Sequence, residues 1–253
     1  METEKVKSRS AQGAAQFKRN IYIFSFCEGL IFWYAIEKLF MQSIGLSIAT
    51  IVTIGIVAQA GKMIFEIPSS VLADRWNRRN TLILGTLIMI IASALLPLAK
   101  TGLAYMLFGL LWTIYYAFKS GTDAAFIFDS LKGYGAQKHF QHVLARYRSW
   151  EYAGLIIAGL VAGLVAVATD LQVPFWLTIL PLALGVVVLG RLPEPVAERH
   201  DEQSKWWSHA AYAWREIRER AIVWVVLLNA MLFALQFIWY EYYRTTGPIR
   251  SSQ

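Results

Sequence analysis

Long uncharged runs alternate with short charged ones along this chain. Seven mostly apolar stretches, 21–40, 47–69, 82–98, 103–126, 152–168, 173–190 and 222–240, fall in or near the range of about 17–25 residues that a helix needs to cross hydrocarbon. Such runs are too long for barrel strands, and a helix satisfies its own backbone groups in lipid. The pattern predicts an all-α membrane protein: a six-helix transmembrane bundle over 21–192 and one additional transmembrane helix. A polar tail, 1–20, precedes the bundle. Arg191-Leu192-Pro193-Glu194-Pro195 stops the sixth helix, and a central loop, 193–220, follows. Within it Trp207, Ala210, Trp214 and Ile217 recur at helical spacing between Arg215, Glu216, Arg218, Glu219 and Arg220, as in an amphipathic helix lying on the membrane surface. The seventh helix and the residues after it, 221–253, read as the start of a second half that is cut short.

Composition agrees with this. The chain is 57% hydrophobic and 16% charged, against about 25% charged in an ordinary soluble domain. Its net charge of +7 follows from topology, because lysine and arginine gather on cytoplasmic loops. The tail, the turn after the second run, 130–150 and 191–220 together hold 18 of the 24 basic residues. The N-terminus is therefore expected in the cytoplasm, and the protein in the cell (inner) membrane of a bacterial type of cell. No basic patch is interleaved with base-stacking aromatics, which argues against nucleic acid as a partner. The single cysteine, Cys27, cannot form an intrachain disulfide. His139 and His142 stand three apart without a supporting carboxylate or cysteine set, so neither metal nor other cofactor is expected. No His-Glu-x-x-His, Gly-x-Ser-x-Gly or phosphate-binding glycine loop marks an enzyme.

Glu28, Lys62, Lys119 and Asp123 are ionisable residues inside the apolar runs. A charge within a span is costly and is by default a functional candidate. Glu28, Lys62 and Lys119 each lie about 10 Å from the inner end of their helix at 1.5 Å per residue. Asp123 sits one turn nearer the cytoplasm and faces the same side as Lys119. Low dielectric favours the neutral form of a carboxyl, so Glu28 and Asp123 are candidates to carry a proton. The alternative is a structural Lys119–Asp123 ion pair that holds the helix in place. Gly154, Gly159 and Gly163 suggest close helix approach in the fifth run.

Ser70-Val71-Leu72-Ala73-Asp74-Arg75-Trp76-Asn77-Arg78-Arg79 joins the second and third runs. It resembles the signature of the major facilitator superfamily, roughly Gly-x-Leu-Ala-Asp-Arg-x-Gly-Arg-Arg, with Ser70 and Asn77 in place of the two glycines. Glu66-Ile67-Pro68, the segment from Gly121 to Ser130 and Leu192-Pro193-Glu194-Pro195 resemble the same family at the corresponding points, in order. The resemblance covers Asn20 to about Tyr240. Ala117 stands where drug–proton antiporters of the family carry an arginine, with Lys119 close by, and Leu160 stands where their fifth helix carries proline.

The resemblance implies a secondary transporter that moves a small molecule across the bilayer by alternating access of two six-helix halves. Proton-coupled efflux is the expected activity, with proton-coupled uptake as an alternative. It also implies that Glu28, Lys119 and Asp123 line a central cavity as substrate or proton pathway. Asp74, Arg75, Arg78 and Asp129 would form a gating latch, with Arg75 or Arg78 pairing Asp129. Orientation by positive charge alone is the plainer account of those arginines. Other readings are a seven-helix receptor, whose usual outside N-terminus conflicts with the charge pattern, a membrane-embedded enzyme, and a half-transporter that needs a second chain.

Overall fold

A computed structural model of the chain describes residues 2–75, 77–194 and 231. Every regular element among them is helical: α1 (Glu2–Gly29), α2 (Glu37–Ser43), α3 (Ile48–Arg75), α4 (Arg78–Leu95), α5 (Gly102–Lys119), α6 (Thr122–Gly133), α7 (Phe140–Ala168) and α8 (Val173–Gly190). In chain order these make six passes, the first and the fourth each built from two helices. Three described helical stretches, Arg78–Leu98, Gln137–Ala168 and Val173–Gly190, are long and apolar enough to cross a membrane. The seventh predicted helix and the amphipathic segment lie outside the described residues.

The passes are not a simple hairpin row. α1 packs on α7 and α8, α4 packs on α5 and α8, and α3 lies against α5. The polar segment before residue 21 is helical and continuous with the first apolar run. Its inward positions explain this: Ala14, Phe17, Ile21 and Phe24 recur at three- and four-residue spacing and are buried. Phe17 meets Phe126 with ring centroids 5.8 Å apart.

Two apolar clusters fill the bundle. One gathers Phe17, Ile21, Phe24, Leu82, Phe126, Val143 and Tyr147. The other gathers Trp33, Phe40, Met89, Tyr105, Tyr115 and Phe175. Trp33 anchors the second, its ring parallel to Phe175 at 5.4 Å and its indole N–H donating to Ser93 Oγ at 3.2 Å.

The two broken passes have physical causes. α1 stops at Gly29, and the released N–H of Phe32 donates to the buried Thr178 Oγ1 at 3.0 Å. A side chain at Gly29 would collide with the main-chain carbonyl of Glu151, and one at Gly154 would come 2.5 Å from that of Phe26. The α1–α7 crossing is therefore made backbone to backbone. Of the three glycines that suggested close approach in α7, Gly154 makes it. Gly159 has room for a side chain beside Ala35, and Gly163 has nothing within 4 Å. The fourth pass breaks at Gly121, whose φ of +75° is a left-handed conformation open to glycine at little cost.

Candidate functional site

The break at Gly121 moves Asp123 out of helical register with Lys119. The four-residue spacing does not produce the ion pair expected of one continuous helix. Both side chains are nonetheless buried, at 6% exposure for Lys119 and 2% for Asp123. They are joined through two residues of α7.

Lys119 Nζ donates to Glu151 Oε1 at 2.6 Å and stands 3.3 Å from Glu28 Oε2. Arg148 Nη1 holds the other oxygen of Glu151 at 2.9 Å, while Arg148 Nη2 stands 2.8 Å from Asp123 Oδ2. The result is one alternating line of charges, Glu28–Lys119–Glu151–Arg148–Asp123, supplied by α1, α5, α7 and α6. In sequence each contributor lies where one apolar cluster gives way to the other: Glu28 between Phe24 and Ile31, Lys119 between Tyr115 and Phe126.

Hydrogen bonds fix the ends of the line. Tyr115 donates its hydroxyl proton to Glu28 Oε2 at 2.5 Å, and the Thr86 hydroxyl lies 3.0 Å from Oε1. Asp123 Oδ1 accepts the N–H of Ala124 at 2.6 Å. The buried Tyr147 hydroxyl, on the same turn of α7 as Arg148, has no hydrogen-bond partner among the described residues. Three carboxylates face two cations, so the line carries one surplus negative charge when all are ionised.

The sequence reading identified Glu28, Lys119 and Asp123 but not Glu151 or Arg148. Those two precede the fifth apolar run as a charged segment indistinguishable from loop, and α7 begins as early as Phe140. A weak signal was present: Arg148 and Glu151 stand at i,i+3, a spacing that pairs charges on one helix face.

A second polar cluster sits where α4 begins. Asn77 caps that helix, its side-chain oxygen accepting the N–H of Asn80 at 2.7 Å. Arg78 Nη1 pairs with Asp129 Oδ2 at 2.5 Å. Arg79 donates to the carbonyl of Leu192 at 2.7 Å, with Glu194 Oε2 at 3.5 Å from its Nε. Burial pushes the Glu194 carboxyl above its ordinary range, against the pull of Arg79. These contacts tie the start of the third pass to the ends of the fourth and sixth. Asp74 and Arg75 close α3, and their side chains lie outside the described residues. No group of three or more metal-ligating side chains comes together among the described residues.

An all-helical bundle of long apolar passes, two of them broken, with a line of charges inside it defines an integral, multi-pass membrane protein. The family model described as Major Facilitator Superfamily matches residues 21–247, and the chain belongs to that family. A crystal structure of a mutant of the nucleoside transporter NupG superimposes with a TM-score of 0.69 at 18% identity. The match covers 83% of this chain and 53% of that one, so this chain spans about half the length of that transporter. No curated protein sequence matches the chain.

Proposed function

We propose that this chain supplies the N-terminal bundle of a proton-coupled secondary transporter, which moves a small molecule outward across the cell membrane by alternating access. The observation that carries the proton coupling is the surplus carboxylate of the line, in which Glu28, Lys119 and Asp123 are buried and Arg148 is partly exposed. A buried charge without a counter-charge is costly, and taking up one proton removes it. Glu28 is the proposed proton site. It ends the line, it is 2% exposed, and its 3.3 Å to Lys119 is looser than the 2.6 Å that Lys119 keeps to Glu151. Protonation of Glu28 leaves Lys119 paired with Glu151 and Asp123 paired with Arg148. Loss of the proton restores the pull on Lys119, and this alternation is the proposed link between proton and conformation.

Arg78 and Asp129, with Asp74 and Arg75 just before Arg78 in sequence, serve as the proposed gate on the cytoplasmic side, the side that the Lys and Arg pattern favours for the basic loops and the N-terminus. Alternating access needs two bundles. The second comes from the rest of a longer protein or from a partner chain. The outward direction rests on the family alone.

The deciding experiment reconstitutes the whole protein in liposomes with an entrapped pH dye and an imposed substrate gradient. The expected result is substrate-driven proton movement that Glu28→Gln abolishes while substrate exchange persists. Unchanged proton movement in Glu28→Gln removes the proton role. Protonophore-induced accumulation of substrate in cells supports efflux, and protonophore-induced loss supports uptake.

A further inference from the structure

Lys62 is a second buried-face charge, and the line of charges does not use it. It stands midway along the 28-residue α3. Gly61 beside it packs against Thr113 of α5, where a Cβ would come 3.2 Å from Thr113 Cγ2. This close approach sets Lys62 at the α3–α5 seam, its Nζ 5.9 Å from the centre of the Tyr116 ring. Among the described residues no carboxylate lies within ion-pair distance of Lys62.

Around it is a wall of rings from the first and fourth passes. Trp112 meets Tyr116 edge-on at 5.1 Å, and Tyr34 at 6.4 Å. Trp33 stands behind them, 5.7 Å from Tyr34 and 6.4 Å from Trp112. Among the described residues the Trp112 indole N–H meets no acceptor. Tyr34 is 43% exposed, and Lys62, Trp112 and Tyr116 are half-buried. A lysine at mid-helix depth is costly against lipid, so the face that carries it borders the protein's interior.

From this geometry we infer that Lys62, Tyr116, Trp112 and Tyr34 form a binding site for a planar aromatic carboxylate, the substrate class of the transporter; this rests on the transporter reading above. The rings supply flat apolar area for stacking. The ammonium supplies the counter-charge; among the described residues it meets no carboxylate, and an unpaired charge is expensive in this medium. An organic cation would suit the rings alone, but Lys62 already occupies the face of Tyr116 and repels it. A neutral ring would leave the ammonium uncompensated.

The test is calorimetric titration of the whole protein in detergent, without a proton gradient, using benzoate, naphthoate and indoleacetate. Each is compared with its amide and with benzyltrimethylammonium. At least one carboxylate is expected to bind roughly tenfold or more tighter than its amide, the effect of one well-placed charge. Lys62→Gln is expected to erase that preference while Lys62→Arg keeps it. Tyr34→Ala, at an exposed ring, is expected to weaken naphthoate without lowering the melting temperature, and it serves if Lys62→Gln proves unstable. Failure of all three carboxylates to bind, equal binding of amide or cation, or full binding by Lys62→Gln overturns the site. Proton-driven transport without carboxylate binding would remove this site and leave the transporter reading intact. Carboxylate binding without proton-driven movement would do the reverse.

Discussion

Lys119 Nζ lies 2.6 Å from Glu151 Oε1 and 3.3 Å from Glu28 Oε2, so one cation on the fourth pass bridges carboxylates of the fifth and the first. Removing the bridge leaves two acids facing one another. Lys119→Met is expected to destabilise the protein by roughly 3–5 kcal/mol, the cost of stranding a partner of a buried pair. The double variant Lys119→Met/Glu28→Gln should recover part of that loss. Denaturant titration of helicity in detergent measures both, and a single-variant loss below about 1 kcal/mol would show that the bridge is not buried in the working protein.

The α1–α7 crossing predicts opposite outcomes for two glycines of one helix. Gly154→Ala forces a methyl group against main chain that cannot yield, and should cost about 1–3 kcal/mol. Gly163→Ala, with nothing within 4 Å, should be neutral or gain up to about 1 kcal/mol from helix propensity. Melting temperatures of the two variants give the comparison, and equal effects would contradict the crossing.

Gly121 is held at φ +75°. Gly121→Ala is expected to lower stability by about 1–2 kcal/mol, the penalty of the left-handed region for a residue with a Cβ. It should also disturb the placement of Asp123 at the start of α6. A melting temperature unchanged from that of the parent would mean that the fourth pass runs unbroken.

Arg78 and Asp129 are both about three-quarters or more buried. A double-mutant cycle with Arg78→Ala and Asp129→Asn should return a coupling of about 0.5–1.5 kcal/mol. For the gate the decisive reading is kinetic. Asp129→Asn and Asp74→Asn are expected to change the rates at which cysteine reporters become reachable from either side of the membrane. Unchanged rates in both variants would return these residues to a purely topological role.

Much of this protein is legible along the chain, because hydrocarbon imposes a length and a polarity on every segment that crosses it. Val173–Gly190, with no charged residue, admits one reading, and α8 has those bounds. The family resemblance singled out Arg78, in the turn motif, and Asp129, at the end of the fourth pass, and these two side chains pair. Glu28, Lys119 and Asp123 stood out because charge within an apolar run is rare, which marks candidates without pairing them.

The pairing belonged to tertiary structure. Four-residue spacing made Lys119 and Asp123 partners, but the left-handed Gly121 broke the register on which that spacing depends. Glu151 and Arg148 were invisible as site residues because periodicity reports the face of a helix and not the helix it meets. Gly29 and Gly154 decide that meeting, by letting two backbones touch and so bringing Glu151 within reach of Lys119. The sequence thus determined the class, the passes and which side chains are chemically out of place. Only the packing decided which charges neutralise which, because those distances are set between helices far apart in the chain.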